Sequence, residues 1–233
     1  MRPTTTLIIL TRNEITGVRD VLSKIPRLKN SECFAVDFHS TDGTVDYLIS
    51  HHITVLKQKK PGRSEAFRIG ARSAKGKYLI FFSPDGNEDP SDIPKLIDVL
   101  EAGADLAIAS RFMKGSRNEE DDKCIKLRKW VNQLFTLFVN WCFGGSLTDS
   151  INGYRAIKKQ SFDQLHLDAE GFAIEFQMTM RALKAGMKIR EFPTKEGNRI
   201  GGVSTSYAMP TGFQFIRVFL REVWIGRTFM KKL

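Results

Sequence analysis

The chain is poor in cysteine and histidine, with three of one and four of the other in 233 residues. Cys33, Cys124 and Cys142 are odd in number and far apart, no CxxC pair occurs, and no histidine neighbours them at metal-ligand spacing. That pattern argues against a disulfide framework or a zinc site and fits a reducing compartment. Long apolar runs are missing too. Near the N-terminus only Leu7 to Leu10 are continuously apolar, too short for the core of a signal peptide, so the protein is expected to stay in the cytosol. The best candidate for a membrane span, residues 130–147, is interrupted by Asn132, Gln133 and Asn140. A bilayer-crossing helix needs roughly 18 to 20 apolar residues, so membrane contact is expected to be peripheral. No internal repeat and no low-complexity tract occurs.

Acidic residues are in deficit: 26 Asp and Glu against 36 Lys and Arg give a net charge of +10. Such a balance suits anionic partners, among them nucleotide diphosphates, lipid phosphates and acidic membrane surfaces. No nucleic-acid-binding motif accompanies the charge, and no nucleic acid is expected as a partner. A 42% hydrophobic content over this length supports one substantial core and hence one active site.

What is present is an alternation. Short apolar runs at 6–10, 32–38, 53–57, 77–83 and 104–110 are separated by helix-like segments near 15–24, 43–50, 64–74 and 91–102. This rhythm predicts an α/β protein with a parallel, doubly wound sheet, whose ligands bind beyond the carboxyl ends of the strands. Polar clusters stand at those ends: Thr11 to Glu14, Asp37 to Thr44 and Ser83 to Asp89. Beyond 111 an acidic loop at 114–122 leads to a long helix-like segment, about Ile125 to Phe143. Then come a strand-like 153–159, a helix near 172–186, a strand near 187–192, a Gly-rich basic loop at 195–206 and an amphipathic tail from Pro210 to Leu233.

Two clusters carry chemistry. Asp37 ends an apolar run and opens the turn HSTDGT, 39–44. A carboxylate there can meet a base or ribose, and the helix start behind it offers N–H groups to an anion. Equally, Asp42 and Thr44 are ordinary cap and turn residues. In KYLIFFSPDGNEDP, Asp85 and Asn87 lie two apart just beyond a buried strand. They suit a hard divalent cation that bridges diphosphate oxygens, although a Pro-Asp-Gly-Asn turn explains the same residues.

The order of these motifs resembles family 2 glycosyltransferases, particularly the polyprenyl-phosphate glycosyltransferases, from about Leu7 to Ser206. Thr11, Arg12, Asn13 and Glu14 match the motif that ends the opening strand. VDFHSTDGT, 36–44, with Asp37 and Ser40, matches the nucleotide motif, Phe38 and His39 replacing an Asp and a Gly. GRSEAFRIGA, from Gly62 through Arg63, matches a helix start; Ser83 to Asn87 matches the metal motif, with Ser83 in place of its first Asp. Ser110 and Arg111, then Arg128 and Asn132, then Asp149 to Arg155, Glu175, and finally Arg199, Gly202 and Ser204 follow in the family's order.

The resemblance implies a GT-A fold: a Rossmann-like, mostly parallel sheet flanked by helices, with C-terminal amphipathic interfacial helices. Residues 1–206 would form the catalytic domain, 1–110 its nucleotide-sugar half and 111–206 its acceptor half, with 207–233 an amphipathic helix. It implies an inverting transfer from a nucleotide sugar, GDP- or UDP-linked, to a polyprenyl phosphate at the cytoplasmic face of a membrane. Thr11, Asn13, Glu14, Asp37, Ser40, Arg63, Ser83 and Asp85 would bind the donor, and Asp85 and Asn87 a Mg²⁺ or Mn²⁺ ion. Arg199 would steady the leaving diphosphate, while Arg111, Arg128, Asn132 and Ser204 meet the acceptor. A hydroxyl acceptor would need a carboxylate base, Glu175 or Asp149. Alternatives are transfer to a glycan hydroxyl and a non-catalytic nucleotide-binding descendant. The aromatic segment 130–143 and the tail suit a membrane surface, a second copy of the chain or a membrane-protein partner.

Overall fold

The computed structural model describes residues 3–122, 126–201 and 208–231. In chain order the elements are β1 (Thr5–Thr11), α1 (Ile15–Val21), β2 (Ser31–Asp37), α2 (Thr44–Ser50), β3 (Thr54–Lys57), α3 (Arg63–Ser73), β4 (Tyr78–Phe82), α4 (Ile93–Glu101) and β5 (Leu106–Ser110). There follow α5 (Leu127–Phe143), β6 (Arg155–Lys158), α6 (Lys159–Gln164), α7 (Ala173–Lys184), β7 (Ile189–Pro193) and α8 (Ala208–Ile225). The strands form one seven-stranded sheet in the order β3-β2-β1-β4-β6-β5-β7. All pairings are parallel except those of β6, which runs antiparallel between β4 and β5. The expected mostly parallel, helix-flanked sheet is therefore present. The short helix α6 is an addition to what periodicity suggested.

Continuous apolar strands arise because helices cover both faces. In β1 Ile8 and Leu10 enter one core cluster while Leu7 and Ile9 enter the other; in β4 Leu79 and Phe81 separate likewise from Ile80 and Phe82. Phe67 of α3 stacks on Phe81 with ring centroids 3.8 Å apart. A third cluster, including Val139, Phe176, Met180, Phe215 and Val218, joins α5, α7 and α8. Glu222 docks α8: fully buried, it accepts hydrogen bonds from Arg181 Nε (3.0 Å) and Gln177 Nε2 (2.7 Å) and pairs with Lys184.

The docked helices present an apolar outer face. All three tryptophans lie on it, Trp130, Trp141 and Trp224 being 57%, 81% and 87% exposed. Leu134, Leu137, Phe213 and Leu220 are exposed beside them. Among the described residues no helix is long and apolar enough to cross a membrane.

Candidate active site

The sheet order turns back beside β1, which has β2 on one side and β4 on the other, and ligands of such sheets sit in the crevice at that point. The register sets Thr11 opposite Asp37 at the carboxyl ends of β1 and β2. Asp37 is buried and accepts from Thr11 Oγ1 (2.9 Å), from Ser40 N–H (3.0 Å) and from the Ser40 hydroxyl. Ser40 Oγ in turn accepts from Asn13 N–H (2.8 Å), and Asn13 Oδ1 accepts from Thr41 N–H (2.8 Å). Thr11, Asn13, Asp37 and Ser40 thus form one corner. Asp42 takes the cap-and-turn role, accepting from Ile15 N–H and Thr44 N–H at 3.0 Å each. Phe38, at the rim, lies under the Arg12 guanidinium, 5.1 Å from the ring centroid.

The second corner is the turn after β4. Helix α1 reaches it closely: a Cβ on Gly17 would lie 2.0 Å from the Pro84 carbonyl oxygen, so only glycine fits there. The loop after β7 lies across the turn, with Ile200 N–H bonded to the Asp85 carbonyl and Gly197 N–H to the Asn87 carbonyl, both at 2.9 Å. Gly86 has φ +91°, and a Cβ on it would strike Ile200 at 2.5 Å. Arg199 from this loop donates to Asp85 Oδ2 at 2.7 Å and to Glu14 Oε1 at 3.1 Å. Burial raises the Glu14 carboxyl against the pull of Arg199.

A third group adjoins it. Arg63, opening α3, pairs with Glu175 of α7, donates to Ser83 Oγ at 2.7 Å, and stands 3.8 Å from Glu88. Glu88 also accepts from Ser83 N–H at 2.7 Å. Burial pushes its carboxyl up to about 8, Arg63 opposing and Asp85 reinforcing the shift. Four carboxyl groups (Glu14, Asp85, Glu88, Glu175) therefore face two guanidiniums (Arg63, Arg199), so that carboxyl oxygens outnumber their cationic partners and burial raises Glu14 and Glu88. Three buried oxygens here, Glu14 Oε2, Asn87 Oδ1 and Glu175 Oε2, have no hydrogen-bond partner. Excess carboxylate and orphaned hard oxygens fit a divalent cation. Among the described residues no three His, Cys, Asp or Glu side chains gather as a ligand set, so a cation held here would take further oxygens from substrate or water.

On the acceptor side the expected residues separate. Arg111 is buried and grips Asp149 through Nε (2.7 Å) and Nη2 (3.0 Å), with Glu196 3.7 Å away. Burial opposes the Asp149 charge, but Arg111 outweighs it and holds the carboxyl below its ordinary value. Asp149 also accepts from Ile151 N–H and Asn152 N–H, so it fixes the loop before β6. Arg128, in the first turn of α5, is half exposed, its Nη1 3.7 Å from Glu119. Asn132, one turn along, is buried, and its carbonyl accepts from Thr136 Oγ1 at 2.9 Å. Ser204 lies outside the described residues.

Glu88, Glu119 and Glu196 escaped the sequence reading. Glu196 ties the loop after β7 to the acidic loop, accepting from Asn118 Nδ2 (2.7 Å) and Glu119 N–H (3.0 Å). Glu88 follows the metal motif directly, and that adjacency was the available signal.

Carboxylate-bearing turns at the ends of β1, β2 and β4, beside a mostly parallel sheet interrupted by one antiparallel strand, give the chain a GT-A-type fold. The fold aligns with glucosyl-3-phosphoglycerate synthase of Mycobacterium tuberculosis, solved with Mg²⁺ and UDP (TM-score 0.71, 18% identity, 95% of this chain and 80% of that one). The chain belongs to glycosyl transferase family 2, matching its sequence profile over residues 6–166. It is 27% identical to glycosyltransferase AglJ of Haloferax volcanii, over 84% of this chain and 64% of that protein. Undecaprenyl-phosphate mannosyltransferase of Micrococcus luteus is 29% identical over 80% of each chain. The chain thus spans less than two thirds of the Haloferax relative.

Proposed function

We propose that the protein transfers a sugar, with inversion, from a nucleotide sugar to a polyprenyl phosphate at the cytoplasmic face of a membrane, assisted by Mg²⁺ or Mn²⁺. One observation carries this reading: a single continuous site runs from Arg199 on Asp85 to Asn87, Glu119 and Arg128. It joins a diphosphate-handling end to a cationic helix start whose flank is exposed and aromatic. The names of the relatives, two of which are polyprenol-phosphate or undecaprenyl-phosphate mannosyl enzymes, support the same acceptor class.

Thr11, Asn13, Asp37 and Ser40 would frame the nucleoside, while Asp85 and Asn87 would hold the cation, which when bound would supply positive charge to a departing diphosphate. Arg199 moves from the Asp85 carboxylate onto a diphosphate oxygen and stabilises the charge that develops there. Arg63 fixes Ser83 and Glu175 behind the turn. Arg128 takes the acceptor phosphate, since Arg111 is already spent on Asp149. A phosphate is an anion at neutral pH and attacks without a strong base. The two candidate bases for a hydroxyl acceptor, Asp149 and Glu175, are both engaged by arginines, which favours the phosphate.

Arg128→Ala is expected to raise the KM for polyprenyl phosphate about tenfold or more while changing the donor KM less than about twofold. Equal changes in both constants would remove Arg128 from the acceptor site. Tryptophan favours the boundary between lipid and water. Co-sedimentation of Trp141→Ser/Trp224→Ser with anionic vesicles is therefore expected to fall several-fold, without loss of donor binding. Undiminished sedimentation would place the membrane contact elsewhere.

A further inference from the structure

Asn87 and Arg128 belong to different ends of the site, and one side chain touches both. Glu119, in the acidic loop between β5 and α5, accepts a hydrogen bond from Asn87 Nδ2 at 2.7 Å through Oε2. Its other oxygen, Oε1, stands 3.7 Å from Arg128 Nη1. The loop itself is anchored independently, since Glu119 N–H donates to Glu196 Oε2 at 3.0 Å and Asn118 Nδ2 donates to the same oxygen at 2.7 Å.

The chemistry of the pair is directional. A carboxylate only accepts, so the end of the Asn87 amide facing Glu119 must be its NH₂, and the carbonyl Oδ1 must face the other way. That Oδ1 is buried and without a partner, an arrangement that is unfavourable unless something else satisfies it. Without Glu119 the amide could turn its NH₂ toward the site, and a cation would have to turn it back before Oδ1 could ligate. Glu119 prevents this.

We propose that Glu119 is a positioning residue: its carboxylate orients the Asn87 amide so that Oδ1 is presented to the divalent cation, and it holds Arg128 near that end until an acceptor phosphate competes for the guanidinium. This rests on the cation assignment made above for Asp85 and Asn87. Oriented this way, the amide adds an oxygen ligand to a motif in which Ser83 offers no carboxylate.

The test reads cation binding directly, by titrating Mn²⁺ into the intact protein with UDP or GDP present and following free Mn²⁺ by electron paramagnetic resonance. Glu119→Leu keeps the bulk and removes the acceptor; Mn²⁺ affinity is expected to weaken about tenfold. Glu119→Gln keeps an acceptor oxygen for Asn87, and affinity is expected to stay within about twofold of wild type. In the Gln variant the KM for polyprenyl phosphate is expected to fall, because Arg128 loses its competing charge. Thermal melting of both variants separates these effects from misfolding. Leu and Gln variants that bind Mn²⁺ alike while folded would overturn the role of Glu119 alone. Failure of the wild-type protein to take up Mn²⁺ with either nucleotide would overturn the cation assignment and this inference with it.

Discussion

Asp85→Ala is expected to lower kcat/KM by about three orders of magnitude while moving the melting temperature by only a few degrees. Removing a single preorganised contact to developing charge typically lowers kcat by about 10²- to 10³-fold. In the proposed mechanism the carboxylate would do two things: offer oxygens to the cation and hold Arg199, which donates to it at 2.7 Å, beside the departing diphosphate. The fold does not depend on it, because Arg199 keeps Glu14 at 3.1 Å and the loop keeps its backbone bonds to the turn. Initial rates over a range of donor concentrations at saturating acceptor, beside a thermal melt, give both numbers. An unchanged rate would remove the metal assignment.

Arg111→Ala is expected to act in the opposite way, on stability first. Breaking a buried ion pair from one side leaves an uncompensated charge, with a loss of about 3–5 kcal/mol. Asp149 is the charge left behind, fully buried at the loop that feeds β6. The same pair sets a pH dependence. Because Asp149 titrates below its ordinary value when folded, its contribution is fully present above the unfolded carboxyl value of about 4. It is lost as pH falls through the lower folded value. Denaturant unfolding of the wild type and Arg111→Ala between about pH 3 and 7 should show that acid-sensitive component in the wild type, and less of it in the variant. A variant as stable as wild type but with a raised acceptor KM would return Arg111 to the acceptor site, where family likeness put it.

Strands buried on both faces, such as TTLIILT and YLIFF, announce themselves as unbroken apolar runs, and their order gave the sheet. The residues just past their carboxyl ends gave the corner of Thr11, Asn13, Asp37 and Ser40. Periodicity carries no information about strand direction, and β6 inserts antiparallel between β4 and β5. That insertion brings the loop holding Asp149 against the end of β5, where it captures Arg111. Glu119 and Glu196 stayed hidden for a related reason. An acidic loop such as KGSRNEEDD reads as a solvated segment. Which of its carboxylates turns inward is decided by Asn87, some 32 positions away in the chain, and by the loop after β7. The aromatic excess of α5 was legible as surplus to one buried stripe, and its exposed Trp130 and Trp141 are that surplus.

Transfer of a sugar to a lipid phosphate is tested most directly by the chemical form of the product. Purified protein would be incubated with Mg²⁺, radiolabelled UDP- or GDP-sugars and a polyprenyl phosphate, and the lipid phase analysed by mass spectrometry, anomeric configuration and mild acid treatment. The expected product is a glycosyl monophosphate lipid with the anomeric configuration inverted relative to the donor, releasing its sugar in mild acid. An acid-stable glycoside formed on a sugar hydroxyl, with the polyprenyl phosphate untouched, would contradict it.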